Sequence, residues 1–190
     1  MRGYNILNGK AWISGGYAIE SIRMEDAEPI RNWRNQQIDA LRQSQSLSVA
    51  EQKEYFEREV LPEFELPHPN KILVRFTLEG KLIGYGGIVH IHWTDRRGEV
   101  SFLLDTKHAQ DVATYRKEIG VFLILIRDLA FKDLYLNKLS TESYAHRTFH
   151  VDAIEDSGFV REGVLRKQTL IEGRWHDAVL ASALREDYLF

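Results

Sequence analysis

KILVRFTLEGKLIGYGGIVHIHWTDRRGEVSFLLD, residues 71–105, is the stretch whose reading decides the fold. Residues 71–78 are rich in β-formers, Glu79-Gly80 marks a turn, and residues 82–93 read as a second strand. Gly84, Gly86 and Gly87 cluster in that strand and predict a bulge. Residues 95–98 are a second turn and residues 99–104 a third strand, so the segment is an antiparallel meander.

Working outward, ATYRKEIGVFLILIRDLAF at residues 113–131 predicts a strongly apolar helix over about 117–132, with residues 107–114 as a long loop before it. A strand near 138–142, a helix over 148–156 ending at Gly158, and a hairpin follow. The hairpin joins residues 159–171 and 174–184 through a turn at Glu172-Gly173. On the other side, residues 18–43 read as a short strand and a helix. Pro29 sits in the helix's first turn, and Ile30, Trp33, Ile38 and Leu41 form an apolar stripe. Ser48 and Glu51 form a capping box that opens a second helix to about Val60. Three prolines make residues 61–70 a loop. Helices thus alternate with strands at both ends of a meander. The expectation is an α/β (α+β) fold: one mixed, largely antiparallel sheet of six to seven strands, helices on both faces, one domain over residues 1–190.

At 190 residues, with 44 % hydrophobic and 28 % charged residues, the chain reads as an ordinary globular protein. A net charge of −3 gives no reason to expect a nucleic acid or an anionic membrane as partner. The absence of cysteine excludes disulfides, thiolate metal sites and a cysteine nucleophile, and fits a cytoplasmic protein. The first residues lack the apolar core of a signal peptide, and the apolar run 121–126 is too short to span a bilayer.

Chemistry gathers in two places. Arg116, Lys117 and Gly120 stand at the expected start of the apolar helix, where free N–H groups and the helix dipole favour an anion. Glu118 opposes an anion there, and a plain solvated lead-in to a core helix is the competing reading. In the meander, a register pairing Thr94 with Glu99 puts Glu99, Ser101, His90, His92 and Thr94 on one polar face. Ile91, Trp93, Val100, Phe102 and Leu104 then form the core face. His90 and His92 have no third ligand in the pattern, so no metal is expected.

The order of elements resembles that of the GNAT superfamily of acyl-CoA-dependent N-acetyltransferases over nearly the whole chain. The family's phosphate-loop pattern falls on residues 115–120, where Ile119 and Gly120 match, while Tyr115 and Glu118 replace the Arg/Gln and the first Gly. Gly158, Phe159, Glu162, Gly163 and Arg166 are similar to a segment of the ribosomal-protein alanine acetyltransferases, and Gly173 to Asp177 matches the family's terminal hairpin. Arg147 stands where an asparagine is usual, and Ile154 where a tyrosine acid is usual. Trp33, Arg34 and Asn35 look like the Trp-Arg-Asn of sugar-amine acetyltransferases from bacterial surface-glycan pathways.

The resemblance implies acetyl-CoA as acyl donor and a small amine as acceptor, with a nucleotide-linked amino sugar the leading choice. A protein N-terminus and a non-catalytic acyl-CoA-binding module are the alternatives. It implies backbone contacts to the diphosphate from Arg116, Lys117, Glu118, Ile119 and Gly120. It also implies pantetheine pairing with the main chain of Phe102, Leu103 and Leu104 on a strand that splays from its neighbour. Glu99 stands at the place of the general base, and Tyr144 or His146 is the candidate proton donor for the thiolate. Trp33, Arg34, His90 and His92 are candidate acceptor contacts. No nucleic acid or membrane partner is expected, and a homodimer is open.

Overall fold

The structure, a computed structural model, describes residues 3–41, 43, 45–171 and 173–189. Eight strands form one sheet: β1 (Trp12–Ser14), β2 (Tyr17–Ser21), β3 (Ile72–Leu78), β4 (Lys81–His92), β5 (Arg97–Leu104), β6 (Lys138–Tyr144), β7 (Val160–Ile171) and β8 (Arg174–Leu184). Their order is β1-β2-β3-β4-β5-β6-β8-β7, and only β5 and β6 run parallel. The mixed, largely antiparallel sheet is as expected, with one strand more than the six to seven read from the sequence. The addition is β1, three residues long, closed on β2 by Gly15-Gly16 with φ of 53° and 83°. A Gly-Gly pair at positive φ is a strong hairpin signal that a three-residue strand easily hides. The turn expected at Glu172-Gly173 falls partly outside the described residues, since Glu172 is not among them.

Helices α1 (Ala27–Gln36) and α2 (Val49–Tyr55) cover one face, where Ile30 and, just after α2, Phe56 line a cavity with Leu73 of β3 and Tyr85 of β4. The capping box exists: Ser48 Oγ accepts from Glu51 N at 3.2 Å and Glu51 Oε2 accepts from Ser48 N at 2.8 Å. Ser48→Ala is therefore expected to cost about 1 kcal/mol, read as a shift of the urea midpoint at unchanged slope.

Helices α3 (Thr106–Gln110), α4 (Val112–Arg127) and α5 (Thr148–Asp156) belong to the other face, and α6 (Arg185–Leu189) closes the described chain. Phe122 of α4 lies 4.5 Å from the Phe102 ring and 5.5 Å from the Phe76 ring, the aromatic centre of this layer. The glycine cluster of β4 makes room for it. A Cβ at Gly86 would stand 2.7 Å from Phe122 Cζ.

Two sequence expectations need correction here. The apolar helix begins at Val112, not near Lys117, because the Asp111 carboxylate accepts from Thr114 N at 2.7 Å and caps it. Residues 107–114 are accordingly α3 and the first turn of α4, not a long loop. The β4–β5 register also differs: Val89 pairs with Glu99 and Gly87 with Ser101, while Thr94 lies in the connection. The ladder shifts between Val89 and His92, with His90 at φ 50°, so a bulge absorbs the difference.

Candidate active site

The site grows from one topological fact. Beside β6, β5 is paired only over Arg97–Glu99, so the two strands part beyond Glu99. Asp105 N donates to Ile83 O at 2.7 Å, which fixes the alternation along β5. Ser101 and Leu103 turn their main-chain groups to β4, while Val100, Phe102 and Leu104 turn theirs to the gap. The Leu104 carbonyl accepts from Gln37 Nε2 at 2.9 Å. The gap edge therefore offers Val100 and Phe102. Of the three residues expected to offer main chain, Phe102 does, Leu103 faces the wrong strand, and Leu104 has its carbonyl engaged.

A cleft of about 290 Å³ occupies the gap. Val89, Glu99 and Ser101 line it from the α1–α2 face of the sheet, and Phe102, Ile119 and Ile154 from the α4–α5 face. It thus runs through the sheet. Glu142 and Tyr144 of β6 and Arg147 and His150 at the start of α5 also line it.

Glu99 and His90 do meet: His90 Nδ1 lies 3.2 Å from Glu99 Oε2. The bulge produces this, since regular alternation would put adjacent Val89 and His90 on opposite faces. His92 is not part of the cleft; its Nδ1 lies 3.1 Å from Asp95 Oδ2 in the β4–β5 connection. Tyr144 lines the cleft and is 7 % exposed, its ring stacked on His146 at 5.6 Å. His146 itself faces a different cavity of about 490 Å³, shared with Asp39, Ile171, Arg174 and His176. Loss of solvent, then His176 and Arg147, hold its imidazole below the usual range.

Trp33 is a core residue, 8 % exposed, and lines none of the cavities described. Arg34 lines a third cavity of about 240 Å³ between α1, α2 and the sheet, where it donates to Tyr85 Oη at 2.8 Å and to Gln43 Oε1 at 3.0 Å.

The residues expected to grip a diphosphate separate. All of 116–120 lie inside α4, whose first intrahelical bond runs from Tyr115 N to Asp111 O at 2.8 Å, so their N–H groups are not free ends. Ile119 lines the cleft, and Arg116, one turn earlier on the same helix face, pairs with Asp156 of α5. Lys117 points away, its ammonium 5.7 Å from the centre of the Tyr17 ring. Gly120 faces Ser157 at the α4–α5 contact. Glu118 is 2 % exposed and turned to His108 Nδ1 of α3 at 2.9 Å. That pair ties α3 to α4. His108→Ala would leave a buried carboxylate without its partner, at an expected cost of roughly 1–3 kcal/mol, measurable as a lowered Tm.

Two groups of the cleft, Arg147 and His150, carry weight that the sequence did not give them, with Tyr115 behind them. Tyr115 Oη lies 2.6 Å from His150 Nδ1, and the Arg147 charge acts on both groups. Among the described residues, no three His, Cys, Asp or Glu side chains are placed to hold a metal ion, and no helix is long and apolar enough to cross a membrane.

Comparison with known proteins bears on the family and the fold. The family model for an acetyltransferase (GNAT) domain matches residues 19–180. No curated protein sequence matches the chain. Among solved structures, a chimera of the spermidine N-acetyltransferase SpeG from Vibrio cholerae and hSSAT superposes with a TM-score of 0.77 at 22 % identity, covering 92 % of this chain and 99 % of that one. The dodecameric Vibrio cholerae spermidine N-acetyltransferase in an intermediate state gives 0.75 at 21 % identity, covering 93 % and 98 %. A probable acetyltransferase gives 0.73 at 18 % identity, covering 94 % and 98 %. These likenesses concern the fold. The family match spans most of the chain, and on it the chain belongs to the GNAT family of N-acetyltransferases.

Proposed function

We propose that the chain transfers the acetyl group of acetyl-CoA to the primary amine of a small molecule, in the cleft between β5 and β6. The observation that carries this is the cleft's passage through the sheet, with an open strand edge in it and a carboxylate on one side. The donor fits this site: Val100 and Phe102 present N–H and C=O groups to the gap, as strand addition by a pantetheine arm requires. Acetyl-CoA, when bound, supplies the activated acyl carbon. Ile119, Leu123 and Ile154 would flank the arm, and Arg116 is the cation best placed for the diphosphate once Asp156 releases it.

An alkylammonium has a pKa near ~10.4, so at neutral pH the amine needs a base. Glu99 takes that role from the α1–α2 face, with His90 hydrogen-bonded to it. The finer reading of the acceptor is a nucleotide-linked amino sugar. Supporting it, Arg34 with Tyr55 and Tyr85 and, in the other cavity, Arg174 with two histidines suit a phosphorylated substituent with a planar base. Glu51 beside Arg34 and Asp39 beside Arg174 make a polyamine the competing acceptor. Thiol release from acetyl-CoA should be followed with UDP- and dTDP-linked amino sugars, spermidine and Ala-terminated peptides. Turnover confined to the amino sugars is expected; turnover confined to spermidine or to the peptides would refute the acceptor reading.

A further inference from the structure

Collapse of a thioester leaves a thiolate that needs a proton, and Ile154 of α5, which lines the cleft, has none to give. One turn earlier on the same face of α5 stands His150, and both side chains line the cleft. The His150 ring does not stand alone. Tyr115 of α4, 4 % exposed, puts its hydroxyl 2.6 Å from His150 Nδ1, and the Arg147 charge acts on both groups. Phe102 and Phe149 pack against the Tyr115 ring at 6.3 and 5.3 Å and fix it.

We propose that His150, backed by Tyr115, is the proton donor to the departing thiolate. This rests on acetyl-CoA entering the cleft from the α4–α5 side.

The tautomer follows from the hydrogen bonds. The Arg147 charge close to Tyr115 favours the phenol oxygen turning its lone pairs toward it, which leaves the phenol proton for His150 Nδ1 at 2.6 Å. Burial of the His150 ring, then the nearby Arg147 charge, push its imidazolium down to about 3, so the ring is neutral. Burial raises the Tyr115 phenol more than Arg147 lowers it, so the phenol keeps its proton at rest. Nδ1 is then an acceptor and the ring's proton sits on Nε2.

The step balances. The amine nitrogen bonds to the acyl carbon and gives its proton to Glu99. The carbon–sulfur bond breaks with its electron pair on sulfur. The Nε2 proton moves to sulfur as the Tyr115 proton moves to Nδ1, so His150 ends neutral in the other tautomer. The phenolate left beside Arg147 regains its proton from water, to which Glu99 returns the proton taken from the amine, and the ring returns to its first tautomer.

His150 is thus a catalytic residue and Tyr115 a positioning residue behind it. Two readouts test them. In the ligand-free protein, ¹⁵N NMR of labelled histidine at neutral pH should show His150 protonated on Nε2 with Nδ1 an acceptor, and Tyr115→Phe should weaken that preference. A ring protonated on Nδ1 would overturn the proposal without any donor present.

In the second test, the amine that the wild type acetylates fastest in the panel above is paired with acetyl-CoA and with S-(4-nitrophenyl) thioacetate, whose acidic thiol leaves without a proton. With acetyl-CoA, His150→Phe should lower kcat by on the order of 10²-fold at unchanged KM, and Tyr115→Phe by about tenfold. With the activated donor, each should differ from wild type by less than about threefold. Equal losses on both donors, or full activity of His150→Phe with acetyl-CoA, would overturn the assignment. His150→Gln, which keeps a polar group toward Tyr115, should show the same contrast and so guards against loss of folding. A loss with acetyl-CoA that appeared in Tyr144→Phe and not in His150→Phe would move the donor to Tyr144. A wild type that binds no acetyl-CoA by calorimetry would refute the reading beneath this one, not the tautomer that NMR reports.

Discussion

Glu99→Gln is expected to lower kcat by on the order of 10²-fold at pH 7, while the calorimetric affinity for acetyl-CoA stays within about twofold of wild type. The amide keeps the shape and a hydrogen bond to His90 but cannot take a proton from the amine. The loss should shrink as pH rises. Each pH unit below ~10.4 gives roughly tenfold more free amine, which leaves Glu99 only the proton that the nitrogen sheds as it bonds to the acyl carbon. Parallel wild-type and variant profiles between pH 7 and 9.5 would show that Glu99 does something other than deprotonation. The prediction depends on placement: Glu99 faces the α1–α2 side of the cleft, away from the α4–α5 entrance assigned to the donor, so binding and turnover should separate.

Gly87→Ala is expected to destabilise the protein by on the order of 3–5 kcal/mol, roughly 6–20 °C in Tm for a chain of this size. Gly87 has φ of 144°, a conformation L side chains rarely adopt, and a Cβ there would stand 2.0 Å from the Ile72 carbonyl oxygen and 2.9 Å from Leu73 Cα. Those are backbone atoms in a buried strand, so β3 and β4 would have to part. Gly163→Ala is the control, because its Cβ would meet open space, and it should stay within about 0.5 kcal/mol. If the two variants melted together, the close approach of β3 and β4 would not be what this glycine serves. The consequence reaches the site, since Gly87 pairs with Ser101 and lies two residues before the Val89–Glu99 pair.

Much of the fold was legible because its signals are local. Alternation and turn residues exposed β3, β4 and β5; a capping box exposed α2; a terminal Gly exposed the end of α5. What escaped was decided by single contacts that spacing does not encode. Asp111 starts α4 five residues before the periodicity becomes apolar, and so removes residues 116–120 from the helix end. The bulge at His90 breaks the expected β4–β5 register, yet keeps His90 and Glu99 on one face and brings them into contact. Trp33, read as an acceptor contact by analogy, is taken up by the core, where an amphipathic helix normally puts its largest apolar side chain. Tyr115 and His150 lie 35 residues apart, and no sequence pattern announces a contact made by two packed helices.

The central claim is that the open edge of β5 receives the donor, and amide hydrogen exchange at single-residue resolution by NMR tests it most directly. With saturating acetyl-CoA, the Val100 and Phe102 amides should slow markedly, while Ser101 and Leu103, already bonded to β4, should change little. Acetyl-CoA that binds by calorimetry and leaves Val100 and Phe102 exchanging as before would contradict it.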